Sequence, residues 1–384
     1  MPTGTPQAPP VIPYAKPHIW GGEVDRLREV VEGGWLSSHG EMVRLFEERF
    51  AAAVDAAFAV ATSSGTTALH LALTAAGIGP GDEVIVPDFT MIAPVFAVRY
   101  CHAHPVPIDV DETWNMDVTE IERRITPRTR AILVVHTYGH PARIDEIVSI
   151  AREHRLVVVE DAAEALGATI NDRYVGALAD VGCHSLYANK VITCGEGGML
   201  TTNDEEIQRR ARWKANMCFG RDPETRFTHE EIGYNYRLSS LQAAVGVAQL
   251  EHLHAAAQRK VEIAERYDRG LAGIGGITRP PAAAWVRNVY WAYGILVDER
   301  EFGVGRETVQ RLLQQAGVET RRMFTPVHRQ PFLDLRLPDS DFPTSLKLAR
   351  DGILLPSFVD LSDALVDRVA GLIEDIRTGR LAEP

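Results

Sequence analysis

Between Phe58 and Thr202 the chain alternates short apolar runs with stretches of helical spacing. The runs are Phe58-Ala59-Val60-Ala61, Glu83-Val84-Ile85-Val86, Ala131-Ile132-Leu133-Val134-Val135 and Leu156-Val157-Val158-Val159. Apolar runs set between helical stretches predict buried parallel strands in an α/β fold. A helix is predicted over Ala68–Leu73, after Ser63-Ser64-Gly65-Thr66-Thr67, and Gly79-Pro80-Gly81-Asp82 reads as a turn. Glu205 to Asn216 reads as helix, and Ser239 to Tyr267 as one long helix. Past Pro280-Pro281 the character changes: Tyr290–Val297 is strand-like, Glu307–Ala316 is helical, and Asp363–Arg377 is a closing amphipathic helix. The pattern divides the chain into a loose tail (1–15), a large domain (16–254) and a smaller C-terminal α/β domain (255–384), on which the N-terminal arm can pack.

Composition narrows the class. A chain of 384 residues fits two domains of roughly 100–250 residues each. Its hydrophobic fraction of 45% and charged fraction of 24% are those of an ordinary soluble globular protein. The net charge of −12 argues against nucleic acid and anionic membrane as main partners, although a local arginine pocket could still take an anionic substrate. No apolar run reaches the roughly 18 residues of a membrane span. The cysteines Cys101, Cys183, Cys194 and Cys218 form no C-x-x-C pair, which indicates neither a zinc site nor a disulfide framework and suits a reducing cytoplasm. Met1–Pro10 lacks the basic and apolar regions of a signal peptide and reads as a tail.

Lysine is scarce: there are five, at positions 16, 190, 214, 260 and 347, among 40 Lys+Arg residues. Arginine serves for plain charge here, so each lysine calls for a reason, and lysine alone of the two can lose its proton and attack a carbonyl. Lys190 lies between the apolar Ser185-Leu186-Tyr187 run and Cys194-Gly195-Glu196-Gly197-Gly198. That placement suits a Schiff-base lysine, and an ordinary surface lysine fits the segment equally well.

Other segments supply complementary chemistry. Ser63-Ser64-Gly65-Thr66-Thr67, between a strand and a helix, offers free backbone N–H groups to a phosphate, or is a plain N-cap turn. Asp161 closes an apolar strand with Glu164 one turn on; an acid there can hold a protonated ring nitrogen or cap the next helix. Gly233-Tyr234-Asn235-Tyr236-Arg237 suggests a polar pocket. His136/His140 and His102/His104 lack metal-ligand spacing, and no metal is expected. Walker A, dinucleotide-binding and G-x-S-x-G patterns are missing. A phosphate cradle, an acid at one strand end and a lysine beyond the next are together the parts that hold pyridoxal 5′-phosphate.

The order of these motifs resembles the fold-type I enzymes that use this cofactor, and more narrowly the DegT/DnrJ/StrS sugar aminotransferases. The likeness runs from Trp35-Leu36-Ser37-Ser38 to the C-terminal helix. It is carried most by Ser64-Gly65-Thr66-Thr67-Ala68-Leu69, Glu160-Asp161-Ala162-Ala163-Glu164-Ala165, Asn189-Lys190 with Gly195-Glu196-Gly197-Gly198, and Gly233-Tyr234-Asn235-Tyr236-Arg237. It implies a large, mixed, mostly parallel sheet with helices on both faces plus a smaller C-terminal α/β domain. It implies Lys190 as the cofactor lysine and proton shuttle, and Asp161 at the pyridine nitrogen. Glu164 would lie near the phenolic oxygen, Gly65, Thr66 and Ser185 at the phosphate, and Phe89 stacked on the ring. Asn235 would reach the neighbouring subunit's phosphate in a homodimer with shared active sites. Tyr236, Arg237 and His328 are implied on the substrate side.

Within the family, the Asp-Ala-Ala-Glu and Gly-Tyr-Asn-Tyr-Arg forms are most similar to the branch that aminates C4 of GDP-linked 4-keto-6-deoxy sugars. The implied reaction moves an amino group from L-glutamate to a keto group of such a sugar. A lysine at position 190 favours transamination over the related dehydration, which uses histidine there. His184, Leu186, Pro94-Val95-Phe96 and the segment around His328 depart from the usual pattern, which bears on the acceptor more than on the chemistry, and two alternatives stand beside this reading. One is the same chemistry on a carbonyl of a natural-product precursor, such as a cyclitol or nucleoside; the other is a cofactor-binding regulatory protein without turnover, which Lys190 and Asp161 speak against.

Overall fold

The computed structural model describes residues 11–220 and 222–382. Its large sheet contains β1 (Phe58–Thr62), β2 (Glu83–Pro87), β3 (His104–Ile108), β4 (Thr129–Val135) and β5 (Val157–Asp161). A short hairpin of β6 (Thr169–Ile170) and β7 (Arg173–Tyr174) follows, and β8 (Val181–Ser185) and β9 (Gly198–Thr202) complete the large sheet. The order is β1-β9-β8-β5-β4-β2-β3. Only β9 runs against its neighbours, so the other six strands point the same way.

The alternation in β4 shows why the sheet is buried on both faces. Ile132 and Val134 join one apolar cluster, while Ala131, Leu133 and Val135 join another. Helices α1 (Glu23–Gly33), α2 (Glu41–Ala53), α3 (Gly65–Ala75), α4 (Ala93–Tyr100), α5 (Val118–Arg124), α6 (Ile144–His154), α7 (Glu205–Ala215), α8 (Ser240–Leu250) and α9 (Leu253–Gly270) surround it. Phe46 and Phe50 of α2, Ile144 and Ile147 of α6 and Val247 of α8 cover the first face. Leu69, Leu71 and Leu73 of α3, Val95 and Val98 of α4 and Ala211 of α7 cover the second. Each large apolar side chain enclosed in this way contributes ~1.5–3 kcal/mol relative to exposure.

The single long helix expected over Ser239–Tyr267 is two, broken at Glu251-His252. The cause is tertiary, since neither glycine nor proline stands at the break. Gly246 lets α8 lie directly on Phe46 and Cys194, and Gln249 is held by Glu23 and the His18 carbonyl. Trp20 then stacks on His252 with ring centroids 4.4 Å apart. The second helix serves both cores: Leu253, Ala256 and Ala257 face the large sheet, and Ile263, Ala264 and Tyr267 face the C-terminal sheet.

The C-terminal region adds β10 (Ile277–Thr278), β11 (Val286–Arg287), β12 (Tyr293–Val297), β13 (Arg321–Arg322) and β14 (Gly352–Leu355). Four of these form an antiparallel sheet, β10-β12-β14-β13, while β11 pairs back onto β6. Helices α10 (Glu299–Phe302), α11 (Arg306–Gln315), α12 (Pro343–Asp351) and α13 (Asp363–Arg377) complete it. Residues 1–10 of the expected tail lie outside the described residues, and residues 11–15 are not loose. Ile12 bridges to Val318 and enters the C-terminal core, and Tyr14 is also buried. The strand expected from Tyr290 begins only at Tyr293, because Tyr290 takes φ +46 and donates its N–H to Asn288 Oδ1 at 2.7 Å. Among the described residues, no helix is long and apolar enough to cross a membrane.

Candidate active site

The C-terminal ends of β1, β8, β5, β4 and β2 share one edge of the large sheet, the edge at which open parallel sheets collect ligands. Asp161 ends β5 there, in register with Cys183 of β8. Ser185 ends β8 and pairs with Gly198, the first residue of β9. A side chain at Gly198 would overlap the Ser64 carbonyl, and a Cβ on Gly65 would stand 2.8 Å from that of Ser185. These two glycines let the N-terminus of α3 close onto the end of β8.

Ser64 caps α3. Its Oγ accepts the Thr67 N–H at 3.2 Å, and Thr67 Oγ1 accepts the Ser64 N–H at 2.9 Å. The Gly65 and Thr66 N–H groups, in the first turn, have no carbonyl to reach within the helix. With the positive end of the helix dipole behind them, they suit an anion beside the Ser185 hydroxyl.

Lys190 sits on the loop between β8 and β9. The loop closes on itself: the Leu186 N–H donates to the Gly197 carbonyl at 2.9 Å and the Cys194 N–H to the Leu186 carbonyl at 3.0 Å. Gly195 makes the return at φ +80, where a side chain would be strained. Asp161, Glu164 and Lys190 are electrostatic neighbours. Asp161 is 5% exposed, and the hydrogen bond it accepts is from the Ala163 N–H at 3.0 Å. Glu164 accepts the Tyr138 N–H at 2.8 Å. Burial raises both carboxyls, Glu164 to about 7, against the pull of the Lys190 charge. Burial also lowers the Lys190 amine, against the pull of Glu164 and Asp161. The depressed value favours the neutral, nucleophilic amine.

These residues fit pyridoxal 5′-phosphate. The N–H groups of the first turn of α3 suit its phosphate. Asp161 is a buried carboxylate that no Arg or Lys hydrogen-bonds among the described residues, so it suits a protonated ring nitrogen. Lys190 suits the aldehyde.

Several supporting residues have roles that the sequence alone does not assign. Glu160, fully buried, accepts the N–H groups of Gly176, Leu178 and Ala179, each at 2.7 Å, and faces His136 Nε2 at 3.1 Å. Burial raises its carboxyl, but the His136 and N–H bonds outweigh burial and hold it below its ordinary value. This bond set fixes the end of β4, the end of β5 and the turn into β8. Trp291 lies against Lys190, with Nζ 3.8 Å from its ring centroid. Tyr138, at φ +54, offers its N–H to Glu164 and its ring to Phe324, 4.9 Å away.

The remaining sequence candidates have partners of their own. Phe89 has no exposed surface; it meets Tyr138 edge-on at 6.0 Å and Phe324 at 5.7 Å in one aromatic cluster. The Tyr236 hydroxyl is 2.9 Å from His70 Nδ1, and its ring stacks on Tyr234 at 4.9 Å. Arg237 donates to Asn216 Oδ1 at 2.9 Å. Asn235, between the stacked tyrosines, is exposed. His328 is not free for a substrate: Nδ1 is 2.7 Å from Asp88 Oδ2, Nε2 is 3.2 Å from Asp339 Oδ1, and the ring stacks on Phe342 at 4.2 Å. The departures at His184 and Leu186 point into the core, His184 against Phe50 and Thr201. They do not reshape the pocket.

A mixed sheet of this order, with a buried acid at one strand end and a buried lysine on the loop after the next, is that of a pyridoxal-phosphate-dependent aminotransferase. The chain belongs to the DegT/DnrJ/EryC1/StrS aminotransferase family, whose model matches residues 18–374. It is similar to the GDP-perosamine synthase of Caulobacter vibrioides, 41% identical over 371 residues covering 96% of this chain and 98% of that protein. It is also similar to the GDP-perosamine synthase of Escherichia coli O157:H7, 39% identical, with 92% and 95% covered. Among solved structures it matches S. venezuelae DesV at a TM-score of 0.87 and 35% identity, with 92% of this chain and 94% of that one covered. The enzyme takes an amino group from a donor and passes it to a carbonyl acceptor.

Proposed function

We propose that this aminotransferase moves an amino group from L-glutamate to the keto group of a nucleotide-linked 4-keto-6-deoxy sugar. The observation that carries the reading is the near full-length similarity to two proteins named GDP-perosamine synthase. Burial of His184 and Leu186 supports it, because these departures from the family pattern leave the site edge as it is.

Pyridoxal phosphate, when bound, supplies an electron-withdrawing ring and a carrier for the amino group. The chain supplies the rest. The N–H groups of Gly65 and Thr66 and the Ser185 hydroxyl bind the phosphate. Asp161 keeps the proton on the ring nitrogen, which a buried carboxylate does more strongly than one in water. Glu164 faces the phenolic oxygen. Lys190, freed by the incoming donor, takes the proton from the donor's α-carbon and delivers it to the cofactor's C4′ carbon, two atoms away across the nitrogen, acting as general base and then general acid. Asn235, exposed on its loop, completes the phosphate site of a second copy of this chain.

The acceptor is tested by spectroscopy. Protein loaded with cofactor loses its visible band on exposure to L-glutamate, and a GDP-linked 4-keto-6-deoxy sugar restores it. If cyclitol or nucleoside ketones restore the band and no nucleotide sugar does, the sugar acceptor is wrong. If no amino donor alters the band, the protein is a cofactor-binding regulator.

A further inference from the structure

Trp291 is held on every side. Its indole N–H donates to the Asn189 carbonyl at 2.8 Å, and its own carbonyl accepts from Lys260 Nζ at 2.9 Å. Its ring lies within 24° of parallel to Tyr138, with centroids 6.3 Å apart. The backbone is fixed as well. Tyr290, just before it, turns at φ +46, and a Cβ on Gly139 would stand 2.8 Å from the Trp291 nitrogen. The segment docks against the Tyr138-Gly139 turn only because residue 139 is glycine. A half-buried indole so restrained keeps one face in a fixed place, and Lys190 Nζ occupies that face at 3.8 Å.

We propose that Trp291 is a positioning residue for Lys190: its ring face holds the amine whenever the lysine is not joined to the cofactor. The inference rests on the reading of Lys190 as the cofactor lysine. In each half of the reaction that lysine is released, moves a proton and must return. A four-carbon side chain set free beside Asp161 and Glu164 is drawn toward their oxygens, where it would be parked as an ion pair. The indole face attracts the ammonium without accepting its proton, so it holds the amine near the site, at the cost of a somewhat smaller neutral fraction. The neighbouring titratable groups are Asp161 at the end of β5 and Glu164 beyond it, together with Lys260 of α9 and Tyr14, Lys16 and His18 of the N-terminal segment, the last four lining the cavity shared by Lys190 and Trp291.

The test follows the visible band as cofactor-free protein is mixed with pyridoxal phosphate across a pH range. The midpoint of the rate profile reports the neutral fraction of Lys190. Trp291→Leu removes the ring, and the midpoint moves to lower pH by about half to one unit, the size of a lost ammonium–ring attraction. Trp291→Phe keeps an aromatic face and stays within about a quarter unit of the parent. Equal midpoints for the parent and Trp291→Leu overturn the proposal. So do equal shifts in the Leu and Phe variants, which would mark a packing defect. Failure of the underlying reading looks different: the parent forms no band, or Lys190→Ala forms it as well.

Discussion

At the scale of single residues, the site is a balance between burial and charge. Glu164 is the sharpest case, an acid raised to about 7 by burial, with the Lys190 charge opposing. Its folded value lies above its ordinary 4.5, so the folded protein binds this proton more tightly than the unfolded chain. Stability from this group is therefore full below pH ~4.5, falls as the pH rises, and is lost above ~7. In cofactor-free protein, Glu164→Gln should flatten that fall and gain up to about 3 kcal/mol on the parent at pH 8 relative to pH 4.5. Urea unfolding at the two pH values measures it, and parallel losses in both proteins would reject the assignment. Lys190 and Asp161 are legible in the sequence because scarcity and strand-end position single them out. Trp291 and Tyr138 are not. Trp291 reads as one more strand residue, and only the distant Gly139 contact and the Asn288–Tyr290 bond turn it toward the lysine.

At the scale of elements, α3 joins the anion site to the loop that carries Asn235. The Ser63 N–H donates to the Tyr236 carbonyl at 2.9 Å, Thr62 bridges to Arg237, and His70 meets the Tyr236 hydroxyl. Burial lowers His70 to about 4, which favours the neutral ring, and its Nε2 has no hydrogen-bond partner among the described residues. Tyr236→Phe strands Nδ1 as well and should cost about 1–3 kcal/mol of unfolding free energy. At the N-terminus of α3, Gly65→Ala forces a methyl group against Ser185. Cofactor affinity should fall at least about tenfold, a loss of ~1.4 kcal/mol in binding, while far-ultraviolet circular dichroism stays unchanged. Equal affinity in the two proteins would move the phosphate site elsewhere. The periodicity of α3 and of the closing helix is plain in the sequence. The break between α8 and α9 is not, because Gly246, Gln249 and His252 cause it through partners far along the chain.

At the scale of the whole molecule, the strand runs imply the sheet, while the pairing of β11 with β6 and of Ile12 with Val318 arises only from long-range packing. The proposed sharing of sites between two copies has a direct consequence. Lys190→Ala and Asn235→Ala proteins, each impaired alone, should regain activity when unfolded and refolded together, in roughly a quarter of all sites if protomers pair at random. No recovery would place Asn235 outside the partner's site. The central claim, that Lys190 carries the cofactor, faces four rival lysines, of which Lys260 is buried and itself lowered to about 7 by burial. Borohydride reduction of the cofactor-loaded enzyme, followed by peptide mass spectrometry, decides among them. The account predicts one phosphopyridoxyl label per chain, on Lys190. A label on Lys260 or any other lysine, or no stoichiometric label, would contradict it.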